Sequence, residues 1–176
     1  MEKQKSAFST ALKYAIIFGL IGFIWGILVY VAHLYLNSWI QWVGVLMMFI
    51  GLILVVRERR DKDLGGFITF GQAFSVGFIF CMILGLISIL TNLLMMQLIA
   101  PDMMGEIMKY SEQKMVDKGM SDDQIAMAMK YTKMFTKPLV QAIWIIVFTA
   151  IFGAILALIT AAIFKKDNPN LQAPTA

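Results

Sequence analysis

The property that most constrains this chain is the length of its charge-free stretches. Residues 14–56, 64–100 and 138–164 contain no Asp, Glu, Lys or Arg. A helix needs about 20 apolar residues to cross the hydrocarbon core of a bilayer. Only structures that satisfy their own backbone polar groups can cross it. The first stretch is long enough for two crossings and is divided by a short polar turn at Leu36, Asn37 and Ser38. The sequence thus predicts an all-α, integral membrane four-helix bundle, with spans at about residues 11–34, 39–56, 70–98 and 138–164. Residues 1–166 form a single membrane domain, and residues 167–176, with two prolines, are expected to be a disordered tail. Composition agrees: 60% of the 176 residues are hydrophobic and the mean hydropathy is +0.77.

Charge gives the orientation. Arg57, Arg59, Arg60 and Lys62 follow span two directly, interleaved with Glu58, Asp61 and Asp63. The positive-inside rule places this cluster in the cytoplasm. With four spans, Lys3, Lys5, Lys13, Lys165 and Lys166 fall on the same side, so both termini are expected to be cytoplasmic. The N-terminal apolar run is too long for a cleaved leader and reads as a retained span. Tyr30, Tyr35, Trp39 and Trp42 mark the opposite interface. This topology accounts for the net charge of +4 without invoking nucleic acid. A phosphate or lipid-headgroup site in the arginine cluster is the sharper reading; a topogenic role is the simpler one, and the interleaved acids favour it.

Residues 101–137 are the one long polar segment between spans, and read as an extracytoplasmic amphipathic helical hairpin hinged at Gly119. Pro101 suits a first helical position, and Gly119 the left-handed residue that ends a helix. Ser121 with Gln124 is a capping box that starts the second helix. One stripe contains Met104, Ile107, Met108, Ser111 and Met115, the other Ile125, Ala128, Met129, Thr132 and Phe135. That is the spacing of one helical face. Six acids balance six lysines here, so the segment is a poor ligand for nucleic acid or anionic lipid. Ten of the 14 methionines lie between Met95 and Met134. They can fill the seam of the hairpin, offer an adaptable face to a protein partner, or bind Cu(I) through thioethers. The candidate partner-binding residues are Met104, Met108, Met115, Ile125, Met129 and Phe135.

Within the spans, Gly77, Cys81 and Gly85 repeat every four residues, as do Gly153, Ala157 and Ala161, and Gly22 with Gly26 forms a Gly-x-x-x-Gly step. Small residues at this spacing let helix backbones approach. Thr69 and Gln72 form a capping box at the start of span three, with a substrate-contacting role for Gln72 as the alternative. Asn92, Gln97 and Gln141 form a candidate intramembrane polar set, bonded across helices or facing a cavity.

The spans hold no ionisable residue in their inner parts, where such groups mark proton relays and catalytic centres. No catalytic motif, metal set or cofactor site is found. The single cysteine, Cys81, excludes an intrachain disulfide and paired-cysteine zinc sites. These features point away from an enzyme.

Three phrases carry a family resemblance: GGFITFGQAF at residues 65–74, KGMSDDQ at 118–124, and FKK at 164–166. Over roughly residues 8–166 the chain resembles a bacterial family known as domain of unknown function 4199. The resemblance implies a small four-span protein of the bacterial inner membrane, and carries no catalytic or binding residue with it. The expected function is that of a non-enzymatic accessory or scaffold, surrounded by membrane lipids, that binds a membrane or envelope protein through the hairpin. The alternative is a small oligomeric transporter or lipid-handling protein for a neutral or amphipathic molecule.

Overall fold

The computed structural model describes residues 6–168. Lys3, Lys5 and all but the first two residues of the expected tail lie outside the described residues.

Helix α1 (Ala7–Val31) begins earlier than residue 11 because the Ser6 side chain accepts from the Ser9 N–H at 3.1 Å. It also ends earlier than residue 34. His33 takes a left-handed φ of 52°, and a 3-10 turn at Leu34–Leu36 follows. Asn37 then caps α2 (Ser38–Glu58) by accepting from the Trp39 N–H at 3.1 Å.

The helix of span two does not stop at residue 56. The helix runs on through a π-turn at Arg59–Asp63, so the arginine cluster is helical rather than a loop. Lys62–Glu58 at 3.5 Å and Arg59–Asp63 at 3.3 Å lie one turn apart along it, a spacing at which opposite charges support a helix. Gly65 and Gly66 end it at φ 67° and 94°, backbone that glycine adopts without strain.

Thr69 caps α3 (Phe70–Leu94): its Oγ1 accepts from the Gln72 N–H at 3.3 Å, and Gln72 Oε1 from the Thr69 N–H at 3.1 Å. A second π-turn at Met95–Ile99 extends this span to 30 residues. That is about 45 Å, well beyond the hydrocarbon thickness, so the helix projects towards the hairpin.

The hairpin comprises α4 (Met103–Asp117) and α5 (Asp122–Phe135). Pro101 lies in the turn before α4 instead of in its first position, and Asp102 makes no side-chain cap. Gly119, at φ 73°, closes α4: its N–H reaches Val116 O at 2.8 Å while the Met120 N–H reaches Met115 O at 3.2 Å. This two-bond pattern satisfies the last carbonyls of a helix. Helix α6 (Pro138–Phe164) starts on proline, as position one allows.

Helix α3 is the centre of the bundle, with α6 and α1 as its main neighbours, and α2 touches all three. The small-residue seams explain the α3–α6 contact. A Cβ on Gly77 would sit 3.4 Å from Ala157 Cβ, one on Gly85 would sit 3.1 Å from Thr149, and one on Gly153 would sit 2.7 Å from Cys81 Cβ. Most of the tight core lies towards the end of the bundle opposite the hairpin. Ala11, Ala15, Leu52, Val55, Val56, Val76, Phe80 and Ala161 are all fully buried there. Towards the hairpin the packing loosens, and a Cβ built on Gly22, Gly26 or Gly44 would meet no atom of another helix within 4 Å among the described residues.

Candidate functional site

Three places collect polar or open surface. The first joins α1 to the helical extension of α2. Glu58 accepts from Lys13 Nζ at 2.8 Å and from the Tyr14 hydroxyl at 2.7 Å. The Thr10 hydroxyl donates to Asp63 at 2.6 Å. Both carboxylates are nearly out of solvent, at 8% side-chain exposure. Sequence reasoning had these residues in hand but not their pairing. The signal was available: a short turn between antiparallel helices sets the start of the first opposite the end of the second, so residues 10–14 face 58–63. Every buried side-chain polar atom among the described residues has a partner, and the arrangement acts as a clasp between two helices.

The second place is the loose half of the bundle. A cleft of about 200 Å³ opens between α1, α2 and α3, with Gly22, Trp25, Gly44, Ser88 and Thr91 on its walls. Both hydroxyls bond back to their own helix, Ser88 to Leu84 O at 2.8 Å and Thr91 to Ser88 O at 3.2 Å. A wider, more apolar groove of about 530 Å³ lies between α2 and α6, walled by Trp42, Trp144, Phe148 and Phe152. The polar set expected here is dispersed: Asn92 and Gln141 are half-buried on different helices, Gln97 is exposed on the π-turn, and none of the three lines either opening.

The third place is the hairpin. Its expected stripe turns inward. Ile125 is buried, and Met104, Met108, Met115 and Met129 are half-buried where α4 and α5 meet. Phe135 is exposed and lies edge-on to Trp144, ring centres 6.0 Å apart. Helix α5 carries a second apolar face that the first stripe obscured. Met127, Tyr131 and Met134 are 64%, 61% and 52% exposed, and their spacing of four and three residues is itself helical. Beside this face runs a groove of about 490 Å³ lined by Ala126, Met129, Lys130, Lys133, Met134 and Lys137. No carboxylate among the described residues pairs with its three lysines. The hairpin is tied to the α1–α2 turn by the Tyr35 hydroxyl, which donates to Glu106. That carboxylate pushes the Tyr35 phenol up to about 12. Among the described residues, no three His, Cys, Asp or Glu side chains gather as a metal cluster.

Four helices long and apolar enough to cross a bilayer, sheathed in exposed Leu, Ile, Phe and Trp, define a multi-pass helical membrane protein. The chain belongs to the family described as "Protein of unknown function (DUF4199)", whose model matches residues 13–166. No curated protein and no solved structure matches it.

Proposed function

We propose that this protein is a non-enzymatic accessory or scaffold of the bacterial inner membrane that holds a partner on its hairpin. The observation that carries the reading is the groove on α5. It sets Met129 and Met134 against Lys130, Lys133 and Lys137, and no carboxylate of the described chain neutralises those lysines. Flexible thioethers suit a partner surface that must repack. Lysines left uncompensated along an apolar groove select for acidic residues in whatever lies there. The partner is therefore an acidic, amphipathic segment of a membrane or envelope protein, and the hairpin faces away from the cytoplasm with both termini inside.

In-membrane photocrosslinking tests this. A crosslinkable residue at Lys130 should give a reproducible heterologous product, which the substitutions K133E and K137E abolish. Self-products alone, or a product indifferent to those charges, would reject it. The second reading, a small oligomeric carrier for a neutral or amphipathic molecule, is supported by the cleft beside Gly22 and Gly44. It would take over if only self-products formed.

A further inference from the structure

At the end of the bundle opposite the hairpin, cations from two distant parts of the chain converge on two aromatic rings. The guanidinium carbons of Arg57 and Arg60 lie 5.0 and 5.9 Å from the centre of the Phe164 ring. Lys166 Nζ lies 5.4 Å from the centre of the Phe67 ring. The backbone fixes this convergence. Ile68 and Lys166 exchange both N–H···O bonds at 2.9 Å, which pins the residues after α6 beside the linker that precedes α3.

The charges nearby do not cancel. Glu58 is occupied by Lys13 and Lys62, Asp63 by Arg59, and Asp61 by Arg60 at 2.6 Å. Asp61, held by Arg60 through two hydrogen bonds, is also stabilised by the charges of Arg57 and Lys166, but among the described residues neither of those two cations has a carboxylate within ion-pair distance, and both side chains are exposed. A topogenic cluster requires only that cations be present on one side of the membrane. It does not require two of them to lie over aromatic rings at the ends of spans with no carboxylate in ion-pair contact.

We infer that Arg57, Arg60 and Lys166 hold the phosphate of an anionic phospholipid headgroup, with Phe164 and Phe67 beneath it at the depth of the first methylenes. A guanidinium presents a donor fork that matches phosphate, and a lysine adds a mobile point charge. Basic pockets between transmembrane helices take lipid headgroups on these terms. Three cations around the single Asp61 carboxylate leave two positive charges in excess, which matches a dianionic lipid such as cardiolipin better than a singly charged one. Free phosphate offers the same oxygens but no acyl chain for the rings.

The site is independent of the hairpin reading and is tested on the purified full chain in detergent. Thermal melts and native mass spectra are recorded with cardiolipin, with phosphatidylcholine and with inorganic phosphate. Cardiolipin should raise the melting midpoint and persist as a mass adduct, while the other two do neither. The double substitution R57Q/K166Q should weaken cardiolipin binding about 25-fold, at about fivefold for each cation near the headgroups. K109Q/K118Q, which removes two exposed hairpin lysines, should leave it unchanged. Equal protection by phosphatidylcholine overturns the inference, as does undiminished binding by R57Q/K166Q. Protection by inorganic phosphate without any from cardiolipin overturns the lipid as its source. Should R57Q/K166Q fail to fold, a salt titration of the unaltered protein decides: binding that is insensitive to ionic strength overturns the inference.

Discussion

Cys81 and Gly153 face each other where α3 crosses α6. A Cβ built on Gly153 would lie 2.7 Å from Cys81 Cβ and 3.2 Å from its sulfur, and the thiol sits 4.0 Å from the Gly153 carbonyl. The obstructing atom is the root of a side chain, so no rotation relieves it. Gly153→Ala should therefore push the helices apart and destabilise the fold by about 1–3 kcal/mol, the usual cost of an overpacked core. Adding Cys81→Gly removes the obstruction, and a double-mutant cycle read by unfolding in bicelles should show a favourable coupling of about 1 kcal/mol. Additive effects would mean that the two residues are not in contact.

Gly22 and Gly26 make the opposite prediction from a motif that looks alike in sequence. Among the described residues, no atom beyond the helix's own backbone lies within 4 Å of a Cβ built at either position. Alanine at both should be tolerated and should stabilise the isolated chain by about 0.5–1 kcal/mol each, by removing helical glycine. Large residues there should leave the monomer folded. If G22L/G26L instead abolishes a crosslinked dimer, a second copy packs on that face, and the oligomeric reading gains its interface.

These two sites show what was legible in the sequence and what was not. Four spans, the hinge at Gly119, and the caps at Thr69 and Ser121 rest on local chemistry, and each is where the residues indicate. Small-residue spacing, by contrast, marks a face without saying what meets it. The Gly77–Cys81–Gly85 seam found α6, whereas the Gly22–Gly26 step found no partner among the described residues. The helix of span two outlasts its apolar run: charges normally signal a loop, while Lys62–Glu58 and Arg59–Asp63 pair along the axis and keep the helix going. The hairpin stripe reads from sequence as a face that either fills the seam or meets a partner, and in the structure Ile125 and the half-buried methionines lie in the seam. Periodicity selects a face, and only the packing of α4 on α5 decides which of two faces remains free.

The link from Tyr35 to Glu106 yields a pH dependence. The phenol is pushed up from 10.0 to about 12 by the neighbouring carboxylate. A group whose folded value is raised contributes stability that is complete below its unfolded value and lost as pH climbs through the folded one. The tie between the α1–α2 turn and α4 should hold in full below about pH 10 and disappear as pH passes 12. Phenolate absorbance should show a late-ionising tyrosine that Y35F deletes and E106Q shifts to lower pH. An unchanged titration in E106Q would break the assignment.

Glu58 is the joint between α1 and α2, and its neighbours should not be equally costly to remove. Its side chain is 8% exposed, whereas Lys13 is 49% exposed on the other side of the same ion pair. When Lys13 is truncated, Glu58 still has the Tyr14 hydroxyl at 2.7 Å and Lys62 at 3.5 Å. K13A should then cost less than about 1 kcal/mol, as for exposed pairs generally. When Glu58 is truncated, three donors, Lys13, Lys62 and the half-buried Tyr14 hydroxyl, lose their acceptor at once. E58A should cost about 1.5–3 kcal/mol, the range for hydrogen bonds to a charged group. Y14F should fall between the two. The loss should also be local: a spin-label pair at residues 9 and 61 should broaden its distance distribution in E58A and not in K13A. Equal destabilisation by K13A and E58A would mean that the ion pair alone, and not the buried acceptor shared by two helices, fastens this end of the bundle.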